Sequence, residues 1–405
     1  MSKMRSIAIA SGKGGVGKTS ISAATAVRTA QLGYKTIVLS TDAAHSLADS
    51  LDQEIGYNPT QMAENLWAQE IDVNIELKNN YYVIQKFISD YLRRQGFDPI
   101  VAEEFAVFPG MEELFSLLKV REYSASGEYD VIIIDCAPTA STVRMLSFPD
   151  AIRWYMTKFF HIERKILKTI RPIAERITKM PLPSDAVYFS VEDLYLKIQE
   201  MNDILTDGSV TTIRLVINPE KMVIKESQRA YTYLNLFGFK VDSVIANRIL
   251  PKDLEDSYFK KWLKIQDKHL ETAEECFNPL PILRGKLFDE EMVGQALLNR
   301  MAEDIFKDID PTGVLCEDKS MEIIPSGGKY TLRIRCPALK KEQLGVWVKS
   351  DELIIRAGSY KRSFILPRTL ALVPLTEANF VDGRLEIIFG GDKDERKKGA
   401  VQPSL

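Results

Sequence analysis

Histidine and cysteine are scarce in this chain, three and four in 405 residues. The cysteines, Cys136, Cys276, Cys316 and Cys336, stand far apart and form no CxxC or Cys/His pairing. That spacing argues against a disulfide scaffold and a local zinc site, and it predicts a reducing compartment. An excess of positive charge is also lacking: 53 Lys plus Arg against 56 Asp plus Glu leave a net charge of −3. There is no electrostatic footprint for coating nucleic acid, so no nucleic-acid partner is expected. Long apolar runs are missing too, since even Val131 to Ile134 is stopped by Asp135, well short of the roughly 18 residues that cross a bilayer. Met1 to Arg5 lead directly into the apolar Ile7 to Ala10, leaving no room for a signal peptide. What remains is an ordinary globular composition, 45% hydrophobic and 27% charged, long enough for two or three domains.

Up to about Thr312 short apolar runs alternate with helical stretches. Ser6 to Ser11, Thr36 to Thr41, Val131 to Asp135, Thr212 to Asn218 and Val241 to Asn247 read as strands, and the rhythm predicts an α/β fold with a mostly parallel sheet covered on both faces. Thr19 to Leu32 reads as a helix that stops at Gly33, making the first unit a βαβ. Lys78 to Lys119 and about Phe148 to Thr206 read as helical insertions by their spaced apolar residues. The second carries Trp154, Tyr155, Phe159, Phe160, Ile166 and Ile170, a stripe that either packs plainly or lines a groove. Between Asp310 and Ser326 the chain turns polar and then changes to strands alone: Tyr330 to Cys336, Gly345 to Lys349, Glu352 to Ala357, Tyr360 to Leu366 and Arg384 to Phe389. These predict a small all-β sandwich over 321–389. The tail 390–405 is too polar to pack and reads as disordered.

The chemistry concentrates in Gly12-Lys13-Gly14-Gly15-Val16-Gly17-Lys18-Thr19, with Ser20 behind it, lying between the first strand and the first helix. Glycines there let backbone N–H groups converge on phosphate oxygens, and the helix N-terminus adds its positive end. Lys18 is placed to reach the β- and γ-phosphates, and the Thr19 hydroxyl to complete the shell of Mg²⁺. After the second strand, Ser40 to Ser50 brings Asp42, His45 and Asp49 to the C-terminal edge of the sheet, where α/β proteins bind ligands. Asp42 is suited to support the metal and Asp49 to orient an attacking water, whereas His45 reads as a loop-packing residue. Val131 to Asp135 is an apolar strand ending in an acid, bringing Asp135 to the metal; Pro138 and Thr139 open a loop able to sense the γ-phosphate.

The second lysine, Lys13, makes this string resemble the deviant Walker A loop of the MinD/ParA/ArsA class. Together with Ser40 to Ser50, the run Val107 to Glu113 and the segment from Asp135 to Leu146, it is similar to the ArsA family, in particular its branch that guides tail-anchored membrane proteins. The likeness covers about Met1 to Asp310, within an ATPase domain expected over 1–312. It implies a P-loop ATPase that forms a homodimer, takes ATP and Mg²⁺, and carries hydrophobic or tail-anchored clients in the insertion at about 148–206, with a transient membrane receptor as a further partner. It implies that Lys13 acts across the dimer, that Asp49 positions water, that Asn247 reads adenine, that Glu220 and Glu226 lie near the partner's nucleotide, and that Pro281 flanks adenine. Departures exist: Asp256 to Leu263 holds no CxxC, so no intersubunit zinc is expected, and Ala140-Ser141 stand where the family carries Gly-His. Arg362 to Pro367 and Ala378 to Glu386 resemble the α-crystallin domain of small heat-shock proteins. That pairing resembles a cyanobacterial or plastid subtype, and the expected location is the bacterial cytoplasm or, as a mature form, the plastid stroma.

Three other functions compete. An arsenite-pump ATPase needs soft thiolate ligands, which the scattered cysteines oppose. A MinD/ParA-like positioning protein needs an amphipathic or basic terminus, which the charge balance opposes. A binder that nucleotide merely locks would tolerate loss of Asp49.

Overall fold

The computed structural model describes residues 6–41, 46–107, 111–136, 156, 183–254, 256–358 and 360–390. Its apolar runs pair into an eight-stranded sheet made of β1 (Ser6–Gly12), β2 (Thr36–Ser40), β3 (Thr60–Ala63), β4 (Leu66–Glu70), β5 (Val131–Asp135), β6 (Thr211–Ile217), β7 (Val241–Ile249) and β8 (Ile282–Lys286). Their order is β3-β4-β2-β5-β1-β6-β7-β8, parallel throughout except that β3 runs antiparallel to β4. β1, β2, β5 and β6 are buried at every position, which is why they show no alternation of apolar and exposed polar residues. The β3–β4 pair and β8 are additions to the strands read from the sequence. β8 alternates between buried and exposed positions on the sheet edge.

The helices are α1 (Lys18–Gln31), α2 (Ser46–Leu51), α3 (Val73–Asn80), α4 (Tyr82–Arg94), α5 (Pro99–Phe105), α6 (Met111–Ser126), α7 (Asp185–Thr206), α8 (Lys221–Leu236), α9 (Ser257–Phe277), α10 (Gln295–Phe306) and α11 (Arg368–Ala371). Asp72, Asp98, Ser184 and Asp256 start α3, α5, α7 and α9 by accepting hydrogen bonds from first-turn amides, the local reason these helices begin where they do. The helical insertion predicted over Lys78 to Lys119 is thus a set of four helices, α3 to α6. Of the second insertion, Met156 and the segment from 183 onward, including α7, are described, and Met156 packs against Tyr188. Its aromatic stripe from Trp154 to Ile170 and the tail 391–405 lie outside the described residues.

After α10 the chain forms two antiparallel sheets, β14-β15-β10-β9 and β11-β12-β13. They are built from β9 (Met321–Ser326), β10 (Lys329–Arg335), β11 (Leu344–Lys349), β12 (Glu352–Ala357), β13 (Tyr360–Ile365), β14 (Leu375–Val381) and β15 (Arg384–Phe389). β15 alternates buried and half-buried residues, as a strand with one face on the core must. The expected all-β module is therefore present, with β9 and β14 as strands the sequence pattern did not reveal.

This module docks on the C-terminal half of α8. Arg362 donates to the carbonyl of Leu236 while its guanidinium lies 4.9 Å from the ring of Phe237 and 4.1 Å from that of Phe364. Arg335 Nη1 donates to Tyr231 Oη at 3.3 Å and to the Asn278 carbonyl at 3.2 Å. Because α8 starts at the C-terminal edge of the sheet and runs back, its end and the docked module lie toward the opposite edge.

Candidate nucleotide site

β1 sits in the middle of the sheet and ends at Gly12, where a Cβ would stand 2.4 Å from the carbonyl oxygen of Val216 on β6. A bare backbone is therefore required at the start of the phosphate loop. At the other end Gly17, with φ of 92°, leads into α1, a left-handed conformation that glycine adopts without strain. The first turn of α1 carries no acidic residue, leaving its positive end available to an anion. Lys18 is buried, and its Nζ lies across the loop, donating to the Lys13 carbonyl at 3.3 Å. Gly14 and Gly15 face open space.

Asp135 ends β5 beside Ala10 of β1. It is buried and accepts a hydrogen bond from Ser22 Oγ of α1 at 3.3 Å. Thr41 Oγ1 and its amide both reach the Asp135 carbonyl, so the ends of β2 and β5 are held together next to the loop. Asp49 projects from α2, whose Ala48 amide donates to Glu70 Oε1 at 3.2 Å and whose Ser50 carbonyl accepts from Gly294 at 3.0 Å.

A cleft of about 450 Å³ opens beside the loop, lined by Gly17, Thr19, Ser20, Asp49 and Asn247 among the residues expected from the sequence. That volume lies within the usual range of small-molecule sites, roughly 300–1,000 Å³. Its other wall comes from residues the sequence did not single out: Arg248 near the end of β7, Lys286 at the end of β8, and Leu287, Phe288 and Met292 beyond it. Phe288 is held between cations, with Lys286 Nζ 4.9 Å and Arg300 Cζ 5.3 Å from its ring centre. The signal for this wall was a short apolar run, Pro281 to Leu283, ended by Gly285, which topology rather than spacing brings to the loop.

Pro281 does not line the cleft. It precedes β8, and its carbonyl accepts from the Val244 amide near the start of β7, at the edge opposite the phosphate loop. The chain returns to the cleft only after traversing β8, and the apolar side chains beside Asn247 are Leu287 and Phe288. Glu220 and Glu226 also stand outside the cleft lining. Glu220 precedes α8 just after β6, whose Val216 pairs with Gly12, so it stands at the same sheet edge as the loop, and Glu226 lies in the second turn of α8. Asp42, His45 and Pro138 lie outside the described residues.

The arrangement is a parallel sheet with a glycine-rich anion loop after its central strand, a lysine across that loop and a buried strand-end aspartate beside it, which defines the class of P-loop nucleotide-binding proteins. The chain belongs to the ArsA family: the family described as anion-transporting ATPase matches residues 4–307, and the HSP20-like domain found in ArsA matches residues 327–389. It is 40% identical over 388 residues to a Chlorobaculum tepidum protein named "Putative arsenical pump-driving ATPase", covering 94% of this chain and 95% of the relative. An Aquifex aeolicus protein of that name, numbered 1, is 41% identical over 374 residues, 90% of this chain and 94% of its own. "ATPase get3" of Pyrenophora tritici-repentis is 29% identical over 307 residues, 74% and 91% of the two chains. Membership in this family makes the protein an ATP hydrolase.

Proposed function

We propose that the protein is a homodimeric ATPase that couples ATP binding and hydrolysis to opening and closing of the dimer, and so takes up and releases hydrophobic protein segments such as tail anchors. The observation that carries this reading is one group of large exposed apolar side chains on neighbouring helices. Tyr82 and Tyr91 on α4, Ile100 and Phe105 on α5, and Leu196 on α7 are all exposed, Ile100 at 71%, and α5 and α7 both pack against α4. Exposed apolar surface of this kind, on helices remote from the phosphate loop in the chain, marks a place for an apolar partner. The resemblance of the single phosphate-loop string to the deviant Walker A loop, and similarity to "ATPase get3", support the dimer and the client class.

In this reading the loop amides from Gly12 to Thr19 and the Lys18 ammonium hold the β- and γ-phosphates of ATP. Thr19 and Asp135, joined by Asp42, are the residues that would hold Mg²⁺, which when bound neutralises phosphate charge. Asp49 orients the attacking water, and Lys13 supplies positive charge to the partner's nucleotide, so hydrolysis depends on closure. A ligand drives such a change only by binding one state better. Clients are handed over at a membrane receptor, and the protein works in a bacterial cytoplasm or a plastid stroma.

The test is mass, ATP turnover and binding of a tail-anchored transmembrane peptide, for the wild type and Asp49→Asn. The expected result is a wild-type dimer that hydrolyses ATP, and a variant that keeps ATP and peptide but loses turnover by at least about a hundredfold. A wild type that turns over ATP yet never binds the peptide would remove the client assignment. The names of the 40–41% identical relatives favour a second reading, an arsenical pump-driving ATPase, which predicts turnover stimulated by arsenite.

A further inference from the structure

One non-glycine residue among those described has positive φ inside a strand. Arg248 on β7 has φ of 56°, while the others, Asp52, Asn65, Lys307, Ser350 and Asp382, sit in turns. The strand is irregular at the same place: Ala246 pairs with Arg284 and Ile249 with Lys286, so Asn247 and Arg248 together oppose the single residue Gly285. This is a β-bulge in a parallel pair, where bulges are rare, and bulges beside active sites re-aim side chains. In a regular strand Asn247 and Arg248 would point to opposite faces. Here both reach the phosphate loop. Asn247 Nδ2 donates to the Val16 carbonyl at 2.9 Å, and Arg248 Nη1 donates to the Gly15 carbonyl at 3.1 Å.

The two carbonyls are consecutive, and this gives the contact a chemical meaning. In a planar trans peptide the C=O and the following N–H point in opposite directions. Holding the Gly15 carbonyl toward Arg248 turns the Val16 amide the other way, and holding the Val16 carbonyl toward Asn247 does the same for the Gly17 amide. Loop amides turned in this way are the donors a nucleotide's phosphates require. Asn247 and Arg248 also line the cleft beside Leu287 and Phe288, so one bulge touches both the wall of the cleft and the loop. Backbone strain retained at such a point has a functional reading.

We propose that the Asn247–Arg248 bulge is a clamp that presets the phosphate loop, and that Arg248 is a positioning residue acting through the Gly15 carbonyl rather than by its charge on phosphate. The proposal rests on nucleotide binding at this cleft and not on the dimer or the client. A left-handed, strained arginine is retained because an unstrained strand would aim it away from the loop.

The test is equilibrium binding of Mg·ADP and Mg·ATP to the full chain, with hydrogen exchange of the segment 12–18 in the nucleotide-free protein. Arg248→Ala is expected to weaken both nucleotides about fivefold and alike, and to speed exchange at the loop while the unfolding temperature stays that of the wild type. Arg248→Gly, which relieves the strained backbone, behaves like the alanine variant. Arg248→Gln, a neutral donor, recovers more than half of the lost affinity. The proposal is overturned if Arg248→Ala binds both nucleotides within twofold of wild type. It is equally overturned if Arg248→Lys restores binding while Arg248→Gln remains at the alanine level, because charge would then be the operative property. Wild-type failure to bind either nucleotide would instead remove the ATPase reading on which the proposal stands.

Discussion

The two edges of the eight-stranded sheet end in opposite ways. At the C-terminal edge the strands deliver polar groups to the phosphate loop and the open cleft beside it: the loop itself after β1, Asp135 at the end of β5 and the bulge on β7. At the N-terminal edge the polar groups are turned inward onto the chain itself, although Nε and Nη1 of Arg214 make no hydrogen bond. Arg214 on β6 and Asp242 on β7 are both almost fully buried, with Arg214 Nε 3.5 Å from Asp242 Oδ1. Arg214 Nη2 donates to the Pro311 carbonyl at 2.6 Å, and Asp242 Oδ2 accepts from the Leu315 amide at 3.2 Å. Those partners belong to the segment leading from α10 to the β module. One edge is thus left open for a ligand, and the other is closed by the chain's own connection between its two parts.

The contrast is broken most severely at Arg214. Arg214→Ala leaves the Asp242 carboxylate buried without its cation and frees the linker carbonyls of Pro311 and Gly313, so unfolding free energy should fall by about 3–5 kcal/mol. Denaturant unfolding would show this, while the dissociation constant for ATP, set at the far edge, should stay within about twofold in whatever protein remains folded. A large loss of ATP affinity would mean that the two edges are not independent.

A smaller effect sharpens the same division on the module side. Cys336 follows β10 and is fully buried, and burial pushes its thiol up from 9.0 to about 12. Its folded-state proton is therefore kept where the unfolded chain has lost it, so this stability is complete below about pH 9 and is lost as pH rises toward 12. The slope reaches about 1.4 kcal/mol per pH unit for one such group. Cys336→Ala should flatten the decline of stability measured between pH 9 and 11, although Tyr81 and Tyr123, both raised to about 12 chiefly by burial, keep a residual slope. An unchanged profile would show that the thiol is not protected in the folded module.

These physical distinctions also explain what could be read from the sequence. The central strands were legible because a parallel strand buried on both faces has nowhere to place a polar residue, so it stands out as Ile7 to Ala10 or Val131 to Ile134 does. The phosphate loop was legible because its glycines answer to local backbone needs. β9 stayed hidden because none of its positions is buried and it contains Pro325, and β14 because a register shift between Leu375 and Glu377 breaks its alternation. The wall made by Arg248, Leu287 and Phe288 was illegible for another reason: no spacing relates residues near 248 and 288 to a loop near 15. Only the sheet order, with β7 and β8 on the same side of β1 as β6, brings them together. Pro281 shows the same limit, since five residues of strand separate the two edges of a sheet and a resemblance in sequence does not reveal which edge a residue occupies.

In the proposed dimer each nucleotide is hydrolysed by groups from two copies of the chain, with Asp49 acting within its own subunit and Lys13 across the dimer. Mixing Lys13→Ala with Asp49→Asn, each inactive alone, tests it by ATP turnover. Half of the randomly mixed dimers are hybrids, and each hybrid contains one complete site, so turnover should return to about a quarter of the wild-type rate. If Lys13 served its own subunit's nucleotide, no hybrid would hold a complete site. Turnover that stays at the level of the separate variants, in a mixture shown by mass to exchange subunits, would contradict the account.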